Sequence, residues 1–370
     1  MSRPASIRPV LRTMGLALPP YRASSEQAAE LASRPFPPGD SQRQVIERLF
    51  RRSTSHARPS VLLRSQAPPG QPLDQDLYQF GVGDRGPSTG ERLRRFELHA
   101  PALAVKAASD ALRSADADPS TITHVVTVSC TGMHAPGLDV ALVRELGLSA
   151  GVHRLHVGFM GCFAGIVALR QAASIVRALP EARVLVVCVE LCSLHLQADA
   201  RIDQQIANAL FADGAAAVLV DAAGPADATL LTLTDFRSRI VPGTESEMSW
   251  RIGDHGFVMS LGEQVPLRLR GVLREMVSDW ISPSRTIGWA VHPGGPRVID
   301  GVRDALELGE ADVEASRAVL RAVGNVSSAT VFFVLDALQN ARQADATPAD
   351  DVVMLAFGPG LTVEAALLTS

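Results

Sequence analysis

Three residues in this chain have the types and settings for acyl chemistry on a thiol. Cys162 stands in VGFMGCFAG, ahead of GIVALRQAASIVRAL (165–179), whose apolar spacing is helical. A thiol at the opening of a helix meets the positive end of the helix dipole, which favours the thiolate. The small residues Gly161, Ala164 and Gly165 let a substrate approach closely; a buried core cysteine is the competing reading. His292 follows the apolar run IGWAV. At the carboxyl end of a buried strand in an α/β protein it is placed for a cleft, where a neutral imidazole can take a thiol's proton. The alternative is a satisfied core histidine. Asn325, in AVGNVSSATVF, carries an amide that can donate to a developing oxyanion or serve as a helix N-cap.

The elements that must position them follow from pattern. Residues 7–18 read as a strand, and Ser24 with Gln27 forms a capping box opening a helix through about Ser33. A Pro-rich loop (35–39), the basic segment VIERLFRRSTSHAR (45–58) and an irregular loop (65–75) precede a long helix over 91–114. HVVTVSC (124–130) is a buried strand, a helix follows Pro136, and RLHVGFM leads into the turn at Gly161–Cys162. RVLVVCVEL (183–191) has the continuous β-branched content of a central strand, and AAAVLV (215–220) closes the first half. The second half gives a helix over 266–281, a strand over 287–293, helices after Pro296 and near 312–322, and a turn at Gly324–Asn325. A helix over 328–341 and a terminal hairpin around Gly358–Pro359–Gly360 complete it. Strand, turn with a polar residue, then helix occurs near both Cys162 and Asn325. The expectation is an α/β architecture of stacked layers in two similar halves, 1–225 carrying the cysteine and 226–370 the histidine and asparagine.

Composition narrows the class. With 370 residues, 46% hydrophobic and 20% charged, the chain can bury a large core and is not disordered or fibrous. A net charge of −4 argues against a nucleic-acid surface. Four cysteines (130, 162, 188 and 192) without a CxxC pair point to a reducing cytoplasm. No apolar run reaches the ~18 residues of a membrane span, and the N-terminus lacks the apolar block of a signal peptide. Cys130, His134 and His195 lack ligand spacing, so no metal is expected. Papain-type proteases share the Cys, His, Asn order, but their cysteine lies near the mature N-terminus in a CGSCW-type context, unlike FMGCFAG here.

VGFMGCFAG, GWAVHPGGPRVID, GNVSSATVFFVLD and AFGPGLTVEAALL, in that order over roughly residues 90–370, resemble the motifs of type III polyketide synthases, the chalcone synthase-like family. The resemblance implies a thiolase-like fold of two similar halves in stacked αβαβα layers, assembled as a homodimer. It implies acyl-CoA and malonyl-CoA as substrates and no cofactor. Cys162 would carry the starter, while His292 and Asn325 would stabilise the enolate left when malonyl-CoA loses CO2. Repeated condensation and cyclisation would yield a pyrone, resorcinol, phloroglucinol or naphthalene. Ketoacyl synthase III enzymes share the three residues, and a single-round condensing enzyme using an acyl carrier protein is the alternative. They usually have Gln and Ala–Asn after the histidine, where this chain has Pro293-Gly294-Gly295-Pro296, which favours the polyketide branch.

The same resemblance assigns the cavity. Phe211, in ANALFADGAAA, matches a gatekeeper phenylalanine, and Met259 stands at the second gatekeeper. Trp250 takes a position that is glycine in chalcone synthases, while Cys130 and His195 take threonine positions. Ala135 falls where plant enzymes place a methionine in the partner's cavity. Ser327, Gly358 and Pro359 belong to the wall. Arg58 foremost, with Arg51 and Arg52 and the nearby Arg48, lies in the segment that binds CoA phosphates. Met259 argues for an adaptable, wide tunnel and Trp250 for a smaller cavity, and the sequence leaves both open.

Overall fold

The first strand, β1 (Pro9–Ala17), is followed by β2 (Arg22–Ser24) and α1 (Ser25–Ser33). The capping box forms as read: Gln27 N–H donates to Ser24 Oγ at 3.2 Å, and Ser24 N–H to Gln27 Oε1 at 3.1 Å. α2 (Ser41–Arg51) buries Ile46 and Phe50 and exposes Arg48 and Arg51. β3 (Ala57–Pro59) pairs with β2. Then come α3 (Thr89–Ser114), β4 (His124–Ser129), α4 (Leu138–Leu146), β5 (His153–Gly158), α5 (Ala164–Ala178), β6 (Val184–Leu191), α6 (Ile202–Leu210) and β7 (Asp213–Ala222). The second run comprises β8 (Thr232–Ile240), the hairpin β9 (Met248–Gly253) and β10 (Gly256–Leu261), α7 (Val265–Val277) and β11 (Ile287–Val291). It ends with α8 (Pro296–Leu306), α9 (Glu310–Ala322), α10 (Thr330–Asp345), β12 (Asp351–Gly358) and β13 (Thr362–Thr369). The computed structural model describes residues 7–224, 231–281, 285–345 and 351–370, so the expected boundary at 225/226 lies outside the described residues.

Nine strands form one sheet in the order β11-β12-β13-β8-β1-β7-β6-β4-β5. On one side β4 runs parallel to β6, β6 antiparallel to β7, and β7 antiparallel to β1. On the other, β11 runs parallel to β12, β12 antiparallel to β13, and β13 antiparallel to β8. The two sets repeat the same directions and join where β1 meets β8.

Side-chain alternation along these strands feeds three apolar layers. Val186 and Cys188 of β6 face α5 and α10, where Ile166, Leu169, Phe332 and Leu335 also meet Met354 and Ala366 from the second set of strands. Leu185, Val187 and Val189 face the opposite way, onto Phe96 and Leu103 of α3 and Leu142 of α4. On the far side Leu269 and Leu273 of α7 and Val302 of α8 cover Trp289, Val353 and Val363. The result is helix, strand set, helix, strand set, helix, the thiolase-like layering, with α5 and α10 buried at the centre between the two halves of the sheet. Every residue of β6 is buried, as expected for a strand covered on both faces.

Candidate active site

Cys162 lies in the turn between β5 and α5, and glycine makes that turn possible. Gly161 has φ +88°, and a Cβ there would fall 2.2 Å from Cδ of Pro359. A Cβ on Gly358 would fall 2.6 Å from the Phe163 ring and 3.3 Å from the Cys162 nitrogen. The loop after β12 is therefore pressed onto the cysteine. Gly165 does the same on the other side, since a Cβ would meet Ser328 O at 2.4 Å, so the start of α5 lies on the turn that opens α10.

Sγ of Cys162 is buried and donates to Ser327 Oγ at 3.5 Å. Burial pushes the thiol up to about 12, against hydrogen bonds from Ser327 and Asn325 that favour the thiolate, and the Glu190 charge adds to the rise. The resting side chain is thus a thiol, not the thiolate expected from the helix dipole.

Asn325 follows Gly324, whose φ is +86°. Its backbone is clamped beside Phe211: Asn325 N–H donates to Leu210 O and Ala212 N–H to Asn325 O, both at 2.9 Å. Oδ1 accepts from Ser327 N–H at 2.8 Å and from Thr330 Oγ1 at 3.2 Å. The Thr330 hydroxyl shares its one proton with Ser327 O at 2.9 Å, so the bond from Ser327 N–H chiefly fixes the amide and leaves Nδ2 as its donor.

His292 continues the pairing of β11 with β12, its N–H donating to Leu355 O at 2.7 Å. Its ring is buried, and neither Nδ1 nor Nε2 has a partner among the described residues. Burial holds its pKa down to about 3, so the ring is neutral, with one nitrogen to donate and one to accept. Leu355 and Gly358 lie on one strand, so β12 ties the histidine to the cysteine turn. A thiol, an unengaged neutral imidazole and an oriented amide can together form a nucleophile and hold an oxyanion.

The cavity at Cys162 has a volume of about 20 Å³, room for about one water. Cys130, Phe211, Trp250, Met259, Ser327 and Pro359 are in its wall. Cys130 Sγ accepts from Gly161 N–H at 2.9 Å. Trp250 closes one side: its Nε1 donates to Cys130 O at 2.7 Å, and it stands opposite Met259 in the β9–β10 hairpin.

His195 and Gly358, expected in this wall, are not among its lining residues, and Ala135 stands at the position expected to reach a partner's cavity. His195 accepts from Phe257 N–H at Nδ1 (3.0 Å), so its Nε2 donates to Thr131 O (2.7 Å), and the ring stacks on Phe257. Both nitrogens are used, and the ring lines an adjoining chamber. Ala135 is exposed on the surface and lines none of the described cavities. Sequence reasoning missed Glu190, whose signal was a carboxylate inside the apolar run VLVVCVEL. It accepts from Cys130 N–H (2.9 Å), Thr131 Oγ1 (2.7 Å) and Ser328 Oγ (2.5 Å), and burial raises its pKa.

A second cavity, of about 530 Å³, opens between α2, α6 and α8. Arg48, Arg52 and Arg297 line it, and its inner wall includes Leu210 and Gly294, next to Phe211 and near His292. Arg51 is exposed on the same helix, 3.8 Å from Glu47, and is not in the lining. Arg58 is not there either: β3 carries it into the interior, where Nη1 donates to Ala209 O at 2.6 Å. Arg297 was not anticipated; it stands in the first turn of α8, after Gly294–Gly295. Among the described residues no three His, Cys, Asp or Glu side chains converge as metal ligands, and no helix is long and apolar enough to cross a membrane.

Comparison with known proteins places this geometry. Residues 82–225 match the N-terminal domain of chalcone and stilbene synthases, and residues 233–370 the C-terminal domain. The chain is 35% identical over 360 residues to a 1,3,6,8-tetrahydroxynaphthalene synthase of Streptomyces peucetius subsp. caesius, covering 95% of this chain and 90% of that protein. It is 34% identical to the alpha-pyrone synthesis polyketide synthase-like Pks18 of Mycobacterium tuberculosis, covering 93% and 86%. It is also 32% identical over 285 residues to "Probable polyketide synthase 1" of Dictyostelium discoideum, covering 74% of this chain but only 9% of that protein's length. The crystal structure of PKS-I from the brown alga Ectocarpus siliculosus superposes over the whole of both chains with a TM-score of 0.90 at 30% identity.

Proposed function

This chain belongs to the chalcone and stilbene synthase family and is a type III polyketide synthase, an acyltransferase; from that premise we propose how its own residues carry the reaction. Cys162 is the nucleophile. Neutral His292 takes the thiol proton, the sulfur attacks the thioester carbonyl of an acyl-CoA starter, and the C–S bond to CoA breaks, CoA leaving as its thiol. The thioester oxygen of malonyl-CoA then accepts hydrogen bonds from an N–H of His292 and from the Asn325 amide. The bond to the carboxylate breaks, CO2 leaves, and its electron pair becomes an enolate held by those donors. The enolate carbon attacks the Cys162 thioester and Sγ departs, leaving the chain two carbons longer on CoA. Phe211, fixed beside Asn325, sets an aromatic face near the malonyl carboxylate and disfavours its charged form. Reloading, further extension and cyclisation follow.

The observation that carries this reading is the Cys162–Ser327 contact beside an Asn325 amide whose oxygen is engaged by Ser327 N–H, leaving its nitrogen to donate. Arg48, Arg52 and Arg297 suit the CoA phosphates, with Arg51 at the rim, and no cofactor beyond the two CoA substrates enters the scheme. A homodimer is favoured by β5, an edge strand with exposed Leu155 and with Met160 and Met133 exposed nearby. Four buried free cysteines favour the cytoplasm. Relatives named for a tetrahydroxynaphthalene and an α-pyrone favour an aromatic or pyrone product. Purified enzyme with malonyl-CoA and a panel of acyl-CoA starters tests the reading: products holding two or more malonyl-derived units are expected. CoA release with no new carbon–carbon bond would overturn it.

A further inference from the structure

We infer that the starter this synthase prefers carries a carboxylate at its far end, received by Arg58 in a chamber opening off the Cys162 cavity. The inference rests on the acyl-transfer reading above. The chamber has a volume of about 80 Å³, room for about half a dozen waters, and is walled largely by aliphatic side chains, among them Leu31, Leu62, Leu63 and Leu73. It shares Cys192, Phe211 and Trp250 with the cavity at Cys162. The two spaces are thus bordered by the same three side chains, and an acyl group on Cys162 would enter the chamber past them.

Inside the chamber stands one cation. Arg58 is 5% exposed, and Nη1 donates to Ala209 O, while Nη2 is buried and has no hydrogen-bond partner among the described residues. No described carboxylate lies within ion-pair distance of it, and its pKa, lowered to about 10, is shifted by burial alone. The guanidinium remains charged at neutral pH, in a low-dielectric place, with no counter-charge. Such a group is costly unless something anionic completes it. The buried acid Asp213 is engaged elsewhere: it accepts from Ser193 N–H, Ser193 Oγ and Val61 N–H.

Arg92 shows what a purely structural buried arginine looks like here. Its Nε donates to Pro87 O and its Nη1 to Tyr78 OH, Leu194 O and Leu196 O, so that only Nη2 is without a partner among the described residues. Arg58 makes one such bond, its guanidinium lies 5.3 Å from the Phe50 ring centroid, and the side chain stands in the chamber wall with no described carboxylate beside it. Aliphatic walls ending at a cation fit a methylene chain ending in a carboxylate, held bidentately or by one charge-assisted bond.

The test uses the full-length enzyme, malonyl-CoA and acyl-CoA starters of matched length ending in methyl, carboxamide or carboxylate, from six to ten carbons. At the best length, kcat/KM for the carboxylate-ended starter should exceed both neutral ones by about ten-fold or more. Arg58→Met should bring that ratio to about one. Damage to α6, which Arg58 also braces through Ala209, would lower all rates and leave the ratio intact. If Arg58→Met does not fold, the wild-type contrast between carboxylate and carboxamide still decides. Preference for the neutral ends at every length, with condensation intact, would overturn the inference and leave the synthase reading standing. Failure of every starter to condense would overturn both.

Discussion

Sγ of Cys162 lies 3.5 Å from Oγ of Ser327, and this contact joins the turn that opens α5 to the turn that opens α10. The nucleophile and the hydroxyl that accepts its hydrogen bond come from the turns opening the two helices buried at the centre of the layered fold. Ser327 itself has φ +44°. Its hydroxyl favours the thiolate, so Ser327→Gly, which keeps the backbone angle, should move the thiol pKa further up. Inactivation by iodoacetamide at fixed pH should slow about three- to ten-fold, with the midpoint of the pH–rate curve shifted upward. An unchanged curve would remove Ser327 from the activation of Cys162.

His195 predicts a pH signature. Its folded pKa is depressed to about 3 by burial, with Arg92 adding to the fall and the bond to Thr131 opposing it, against 6.5 when unfolded. The unfolded chain then binds more protons, so this group's stability is present above 6.5 and is lost as pH falls toward 3. His292 acts in the same sense, while Asp213, raised to about 6 by burial, acts in the opposite one. The test is therefore a difference: between pH 7 and 5 the wild type should lose about 2 kcal/mol more unfolding free energy than His195→Asn, read by urea titration.

Trp250 should set the size of what Cys162 accepts. Trp250→Gly removes the indole that closes the cavity and its bond to Cys130 O. The kcat/KM for starters several carbons longer than the best wild-type starter should rise about ten-fold or more. Product profiles by mass spectrometry check this, and unchanged length selection would place the limit at Met259 or Phe211.

Gly165→Ala should couple the two turns visibly. The added methyl meets Ser328 O at 2.4 Å, so α5 and the turn before α10 must separate. A loss of about 1–3 kcal/mol in stability is expected, with kcat falling more than KM changes, because the displaced groups act on the reacting atoms.

Arg48→Ala and Arg52→Ala should each raise KM for malonyl-CoA about ten-fold with kcat nearly unchanged, the pattern of lost uniform binding. Arg51→Ala, outside the lining, should change KM less than two-fold by the same comparison.

Much of this fold is legible locally. The Ser24–Gln27 capping box, the continuous β6 and the strand, turn, helix order at Cys162 and near Asn325 all follow from short-range pattern, because caps, periodicity and turn residues act over a few positions. α6 and the β9–β10 hairpin were not legible, since their register is set by packing onto α2 and the Cys162 cavity. The arginines show the limit most clearly. Arg48, Arg51, Arg52 and Arg58 look alike in one basic segment, yet a helix surface exposes the first three and a three-residue strand buries the fourth. The thiol of Cys162 makes the same point: the helix start is written in the sequence, but the burial that raises the thiol's pKa involves Pro359 and Ser327 on distant segments.

The most direct test of the central claim is the mass of the enzyme after mixing with an acyl-CoA starter alone, followed by peptide mapping and a chase with malonyl-CoA. One acyl group per chain on Cys162, released CoA in equal amount, and transfer of that acyl group into product on the chase are predicted. An adduct on Cys130, Cys188 or Cys192, CoA release without any adduct, or product formation by Cys162→Ala would contradict it.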